Sequence, residues 1–288
     1  MEADINKKFR LKLIETFRAF DAFCKRHQIQ YYTAGGTLIG AVRHKGLIPW
    51  DDDVDVWMLR KDYERFLTFR GQVEGHYDIM DSRDENYWLL SLAKFVDTDT
   101  TLWEFEHYPC ITGVYIDIFP LDECDADKAM ALRKEYDETS FKLTYAMAKH
   151  SWSQFVTLLS HRDLGTFKSY LKDSLYYRPR YQKYLQAYEA CVQKIKTSKG
   201  EMYVAFDGLY QEREIYKKEW LAEIVKLPFE DMEVDAPVGY HEILTQVYGD
   251  YMQLPPVEKR VSHHHHYFMD LDRRWTIDEI REFKKQHR

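Results

Sequence analysis

Asp51, Asp53 and Asp55 alternate with Asp52, Val54 and Val56 in the stretch PWDDDVDVW at 49–57. In an extended chain successive side chains point to opposite faces, so these three carboxylates share one face and the valines turn towards a core. At an effective dielectric near 20 and a spacing of roughly 5 Å, each like-charged pair costs about 3 kcal/mol. Such a face wants a cation or raised pKa values, and a hard divalent ion with oxygen ligands suits it. Another carboxylate, Asp117, emerges from VYIDIFPLD at 114–122, where Val114, Ile116 and Ile118 take one face and Tyr115, Asp117 and Phe119 the other. A lone Asp in an apolar strand is costly unless paired or metal-bound, which makes Asp117 a candidate third ligand.

The acids follow closely on Gly35-Gly36-Thr37. A glycine turn that opens a helix offers unpaired backbone N–H groups and the positive end of the helix dipole to a phosphate, although the same pair also serves as a plain turn device. Arg43, His44 and Lys45 close that short helix, where cations suit the dipole or could neutralise phosphate oxygens. A nucleotide-dependent phosphoryl transferase needs this combination: carboxylates to hold magnesium against bridging phosphates, N–H groups for the remaining oxygens, and a base for the incoming hydroxyl. The rival from another class is a non-catalytic calcium-binding module, with Asp51, Asp53, Asp55 and Asp62 at loop positions 1, 3, 5 and 12. It fails in detail, because Val56 stands where that loop needs glycine, Asp62 where a bidentate Glu is usual, and Pro49 interrupts the entering helix. The run His263 to His266 reads as a loop near the cleft, with His263 a candidate phosphate or acceptor contact.

Several elements must hold these groups. Phe9, Leu13, Phe17, Phe20 and Cys24 recur at spacings of three and four and predict one amphipathic helix over 4–28. A strand is expected from Ile29 to Ala34, then a helix with Thr37 as its N-cap that Gly46 stops, an acidic strand after Pro49, and a helix over RKDYERFLTF at 60–69. LLSLAKFV at 89–96 predicts a strand carrying Lys94, which joins the candidate donor-binding set. From 125 to 200 the pattern is helical, with Tyr181, Tyr184, Tyr188, Cys191 and Ile195 forming a packing stripe. MYVAF at 202–206 adds a strand, and from 222 a strand, a turn and a short helix ended by Gly249 are expected.

Hydrophobic residues make up 45% of the 288 and charged residues 31%, with 8 prolines and 12 glycines, a globular composition that excludes disorder or fibrous repeats. A net charge of −7 argues against nucleic acid or an anionic membrane surface as the main partner. Cys24, Cys110, Cys124 and Cys191 are scattered without a CxxC pair, so neither a zinc site nor a disulfide framework is indicated and a reducing cytoplasm is the natural setting. No run of about 18 apolar residues suggests an integral membrane segment, and the N-terminus lacks a signal-peptide core. Aromatics reach 16%, enough to line a cleft as well as a core.

GGTLIGAVRHKGLIPWDDDVDVWMLRKDYERF at 35–66 resembles, nearly end to end, the central signature of the LicD family of phosphorylcholine transferases, whose relatives include the fukutin-type sugar phosphotransferases. GVYIDIFPLD resembles the family's second block and LTQVYGDYMQLPPVEKRVSHH its C-terminal block, while 125–200 carries no family motif. The resemblance implies an α+β fold: a nucleotidyltransferase-like small mixed β-sheet flanked by helices, with an additional largely helical lobe. The division expected is a catalytic core over 1–125 and a helical lobe over 126–288 whose C-terminal motif closes the cleft, the two forming either separate lobes or one integrated domain. By position Asp53 and Asp55 match the family's metal ligands and Asp117 the third carboxylate, with Asp51 and Asp52 in supporting roles. Gly36 and Thr37 match the phosphate-binding turn, and Arg43, His44, Lys45, Lys94 and His263 complete the candidate donor site. The activity implied is Mg2+-dependent transfer, with one or two ions and Mn2+ as a substitute. A phospho-alcohol, phosphocholine foremost, would pass from CDP-choline or another CDP-alcohol to a sugar hydroxyl of a cell-surface glycan precursor, releasing CMP. The acceptor could belong to a teichoic acid, a lipopolysaccharide or a capsule, and a lipid-linked acceptor would bring a cytoplasmic protein to the inner membrane face. The alternative on the same fold moves a nucleotide from an NTP to a small hydroxylated acceptor. If choline is the group moved, Tyr31, Trp50, Trp57, Trp88 and Trp103 are candidates for an aromatic cage around it.

Overall fold

The structure, a computed structural model, describes residues 2–262 and 266–287. In chain order its elements are α1 (Glu2–His27), β1 (Tyr32–Thr33), α2 (Gly35–Ile39), β2 (Asp55–Leu59), α3 (Arg60–Leu67), β3 (Tyr77–Met80), β4 (Ala93–Asp97), β5 (Thr101–Trp103) and β6 (Tyr115–Cys124). The helical stretch α4 (Ala126–Met147), α5 (Trp152–Ser160), α6 (Leu164–Lys172) and α7 (Tyr181–Thr197) follows. Then come β7 (Met202–Val204), β8 (Ile215–Lys217), β9 (Ile224–Phe229), β10 (Met232–Pro237), α8 (Tyr240–Tyr248), β11 (Phe268–Asp270) and α9 (Ile277–Gln286). This is an α+β architecture built on one mixed sheet.

The sheet runs β1-β2-β6-β4-β3, with β2 and β6 parallel and the other neighbours antiparallel. The parallel pair needs a long crossover, which the chain supplies by running α3, β3, β4 and β5 between β2 and β6. β6 is long enough to serve twice: its first half pairs β2 and β4, and Asp122 to Cys124 pair with β7, which in turn pairs with β8. The helices α4 to α7 therefore leave the sheet and return to it. α4 and α7 close over Tyr136, Leu143, Tyr184, Tyr188, Cys191 and Ile195.

The apolar stripe of α1 is buried as its spacing requires, with Phe17 and Phe20 fully enclosed and Leu13 and Cys24 nearly so. It packs in one core with Val54, Val56, Val114, Ile116 and Ile118, so the apolar faces of the two site-bearing strands rest on α1. The opposite faces are left for the site.

Local details differ from the sequence expectations for identifiable reasons. The strand expected over 29–34 shrinks to Tyr32–Thr33, since β1 has only two residues in register with β2. Regular pairing in the acidic strand starts at Asp55, so Asp51 and Asp53 sit on the irregular segment that leads into β2. Thr37 does not cap a helix: α2 begins at Gly35 with Ala34 in the cap position, and Thr37 lies in the first turn with its hydroxyl turned to β2. The helix continues as a π turn over Gly40–His44 and ends at Lys45, in left-handed conformation (φ 60°), one residue before Gly46. No calcium loop forms, because 55–59 is strand and Asp62 lies in the first turn of α3. The four cysteines are buried thiols. Among the described residues, no helix is long and apolar enough to cross a membrane.

Candidate active site

In the parallel pairing of β2 with β6, Asp55 lies opposite Asp117, and in the antiparallel pairing of β6 with β4, Asp117 lies opposite Lys94. Residues in register point to the same face, so the three make a row across the sheet. Lys94 Nζ donates to Asp117 Oδ1 at 2.7 Å and lies 3.0 Å from the centroid of the Tyr115 ring. The hydroxyl of Tyr115 in turn donates to the buried Glu104. Lys94 is 1% exposed, and its charge is paired with Asp117 beneath the surface.

The glycine turn is pinned against these acids. Ala34 N–H donates to Asp55 O at 3.0 Å, and Asp55 N–H donates to Thr37 Oγ1 at 2.8 Å. Gly35 has φ +49°, a conformation that side-chain-bearing residues rarely adopt, and a Cβ there would sit 3.1 Å from Asp55 Oδ2. A Cβ on Gly36 would sit 2.5 Å from Asp51 Oδ2. The first-turn N–H groups of α2 have no partner within the helix, so the turn sets unpaired donors directly beside carboxylates.

A cleft of about 500 Å³ opens over this row, lined at one end by Gly35, Gly36, Asp51, Asp53, Asp55 and Asp117. Loss of water at the cleft floor is the largest force on Asp55. With the charges of Asp53, Asp117 and Asp51 it pushes that carboxyl well above the usual carboxylate range, against the pull of Lys94. Burial likewise raises Asp117, held back by Lys94, to about 6. Carboxylate oxygens of Asp51, Asp52 and Asp53 lie within 4.8 Å of one another. Among the described residues, the lining includes no lysine, arginine or histidine. Crowded hard oxygen donors are the chemistry that a divalent cation such as magnesium fits, and Asp53, Asp55 and Asp117 are the residues that would hold it.

The structure puts the other candidates elsewhere. Arg43 donates through Nη1 to the carbonyl oxygens of Tyr251 and Gln253, at 2.6 and 3.2 Å, and through Nε to His44 Nδ1. His44 packs edge-on to Trp50, and Lys45 Nζ donates to Val42 O. Arg43 alone ties the end of the α2 helix to the C-terminal segment, and none of the three is among the residues that line the cleft. Thr37 supports Asp55 from behind, and His263 lies outside the described residues. Of the aromatics, Trp57 and Trp88 line the cleft. Tyr31 is enclosed in the core with its hydroxyl on Asp21, Trp103 is fully buried with Nε1 donating to Phe105 O and Tyr108 O, and Trp50 lies under Arg260. The far wall is built from Tyr136, Asp207, Tyr210, Glu214 and Tyr216, which carry no sequence signal of their own, and from Tyr248, which lies in the C-terminal block LTQVYGDYMQLPPVEKRVSHH. The nearest hint was Asp207-Gly208 following the strand at 202–204.

Residues 28–157 match the family model described as LicD/FKTN/FKRP, nucleotidyltransferase domain. Over 248 residues the chain is 32% identical to the lipopolysaccharide cholinephosphotransferase LicD of Haemophilus influenzae, covering 85% of this chain and 90% of that protein. A shorter match of 71 residues, at 35% identity, is to the human ribitol 5-phosphate transferase FKRP, covering 25% of this chain and 14% of that protein.

Proposed function

Because the chain belongs to the LicD family, we propose that it is a transferase that moves a phospho-alcohol, phosphocholine foremost, from a CDP-linked donor to a sugar hydroxyl of a cell-surface glycan precursor, releasing CMP. The observation that carries this reading is the meeting of Asp53, Asp55 and Asp117 with the Gly35-Gly36 turn on one cleft. The names of two relatives support it, since one is a cholinephosphotransferase and the other a ribitol 5-phosphate transferase. Both names describe movement of a phosphorylated alcohol.

Magnesium, as one ion or two and replaceable by manganese, would be held by Asp53, Asp55 and Asp117, where it would offset the charge of the donor diphosphate and polarise its phosphorus–oxygen bonds. The chain's own groups do the rest. N–H groups of the first turn of α2 meet phosphate oxygens that the carboxylates repel. Lys94 fixes Asp117 through Oδ1, and Asp117 would take the proton of the acceptor hydroxyl. The acceptor oxygen forms its bond to the phosphorus distal to cytidine, the bond from that phosphorus to the bridging oxygen breaks, and CMP leaves with the electron pair. The tyrosine and tryptophan wall lies beside the acids, where it would limit the access of competing water. The setting proposed is the cytoplasm, at the inner membrane face if the acceptor is lipid-linked.

A thermal-shift screen tests the reading. In the presence of magnesium, CDP-choline, CDP-ethanolamine, CDP-glycerol and CDP-ribitol are compared with CTP and other NTPs, since a ligand raises apparent stability by mass action. One CDP-alcohol should stand out. Stabilisation by NTPs alone would favour nucleotide transfer instead, and tight calcium binding with no nucleotide response would favour the binding module.

A further inference from the structure

Helices α5 and α6 stand out from the fold, because neither has a single buried residue. Phe155 packs on Phe167 and Tyr170, with ring centroids 5.5 and 6.2 Å apart, and only residues 161–163 connect the two helices, so they form an antiparallel hairpin. Their outer faces are apolar. On α5, Trp152, Val156 and Leu159 follow spacings of four and three and are exposed, Trp152 to 80%. On α6, Leu164 and Leu171 share a stripe with Leu175 of the π turn Asp173–Tyr177 that continues the helix, and all three are exposed. At about 100° per residue each stripe lies on the same rotational side of the packed rings, so in an antiparallel pair both stripes emerge on one side of the hairpin. Seven of the twenty large apolar side chains exposed among the described residues fall within 152–176. Apolar residues scattered singly are ordinary, whereas a concentration of this kind marks an interaction surface.

The charge of this segment opposes that of the whole chain. Between Glu138 and Glu189 stand eight lysines and arginines and only two acids, in a chain of net charge −7. Of the acids, Asp173 is buried against His150, and Asp163 caps α6 by accepting from Thr166 N–H. Lys142 and Lys149 pair with Glu138 and Glu85, whereas Arg162, Lys168, Lys172, Arg178, Arg180 and Lys183 are exposed and lack an ion-pair partner among the described residues. Apolar stripes and free cations together discriminate between occupants. A second copy would set like charge against like across a two-fold interface. A bilayer with anionic headgroups satisfies both features, since apolar side chains enter the acyl boundary while lysines and arginines meet phosphates. At nine residues each, α5 and α6 are too short to span it and would lie in its surface.

We infer that the α5–α6 hairpin is a membrane-binding element that docks the chain on an anionic bilayer surface. Resting on the transfer reading proposed above, its purpose is to bring the cleft to a lipid-linked acceptor. The seat of the hairpin supports this. Lys149 N–H donates to His107 O at 2.7 Å and Gln154 Nε2 donates to Glu106 Oε2 at 2.8 Å, so the hairpin rests on the β5–β6 connection. From the same connection Phe105 and Tyr108 pack on Trp88, at 5.8 and 5.4 Å between ring centroids, and Trp88 lines the cleft. One packed connection therefore joins the docking element to the cleft wall.

Co-sedimentation of the full chain with vesicles tests this, comparing phosphatidylcholine alone with equal parts of phosphatidylcholine and phosphatidylglycerol. The chain should bind the anionic vesicles at least about tenfold more tightly than the neutral ones, and high salt should weaken that binding. Two double variants, Trp152→Ser with Leu159→Ser and Lys168→Glu with Lys172→Glu, replace exposed side chains only. Each should keep the native melting temperature and CMP release with a water-soluble acceptor, yet lose anionic-vesicle binding by about tenfold or more. Failure of the native chain to bind anionic vesicles would overturn the inference whether or not the variants fold, and so would folded variants of native vesicle affinity. A dimer of the native chain in analytical ultracentrifugation that the Trp152→Ser, Leu159→Ser variant dissociates would also overturn it, by assigning the stripes to a second copy. Vesicle binding without CMP release from any CDP-alcohol would instead remove the transfer reading and leave the membrane element. CMP release from a CDP-alcohol by a chain that binds no vesicle would do the reverse.

Discussion

Lys94 and Asp117 are a buried ion pair on adjacent strands, with side chains 1% and 9% exposed. Removing one partner of such a pair leaves an uncompensated buried charge, so Lys94→Met should destabilise the chain by about 3–5 kcal/mol in denaturant unfolding without divalent ions. If Asp117 is a metal ligand, saturating magnesium should restore part of that loss, and no restoration would count against the ligand role. Glu214 offers a test through pH. Burial pushes its carboxyl up to about 7. Between the ordinary glutamate range and that value the folded chain keeps a proton that the unfolded chain has released, so stability falls as pH rises through the window. Glu214→Gln should therefore gain on the native chain between about pH 5 and about pH 8, measured as unfolding midpoints, and a difference that does not change with pH would contradict the assignment. Asp53, Asp55 and Asp117 could be nominated from the sequence because alternation is a local property of two short stretches. Asp207, Glu214 and Tyr216 could not, because they meet the acids only where the fold brings β7, β8 and their connection to the cleft, and sequence does not show that.

The turn from β1 into α2 is the element on which the site's geometry depends. Thr37→Val would leave the Asp55 N–H without its acceptor, at a cost of about 1–3 kcal/mol in unfolding free energy, with turnover reduced more than nucleotide binding. In Gly36→Ala the new Cβ would displace the Asp51 carboxylate, and turnover should drop by roughly ten- to a hundredfold while the melting temperature moves little. An active, unperturbed Gly36→Ala would show that the turn does not approach the reacting groups. Much at this level was readable beforehand. The stripe of α1 and the alternation of β6 follow from periods of 3.6 and 2. Less readable was the end of α2, because the π turn takes Arg43 onto the carbonyls of Tyr251 and Gln253, a contact some 200 residues distant in sequence, and leaves His44 on Trp50 and Lys45 on Val42 O. The C-terminal block thus braces the back of the signature stretch. Alternation likewise could not separate Tyr31 from Trp57, since which face α1 covers is decided by packing.

Across the molecule, the cleft draws its floor from the sheet and its walls from α4, the β7–β8 connection and α8. β6 continues past the sheet's centre to pair with β7, so a cut at residue 125 would expose a strand edge and remove most of the aromatic wall. We propose that the core and the helical lobe form one integrated unit: a fragment of residues 1–125 should show no cooperative unfolding, and a folded, nucleotide-binding fragment would favour separate lobes. Asp53→Asn should keep the native melting temperature within a few degrees and lose turnover by at least about a hundredfold, because charge stabilisation of several kcal/mol is removed from the transition state. The central claim is tested most directly by identifying the products made by the full chain from magnesium, a CDP-alcohol and a candidate glycan. The account predicts CMP together with a glycan heavier by one phospho-alcohol, both absent with Asp53→Asn. Release of pyrophosphate from an NTP, with no CMP from CDP-choline, CDP-ethanolamine, CDP-glycerol or CDP-ribitol, would contradict it.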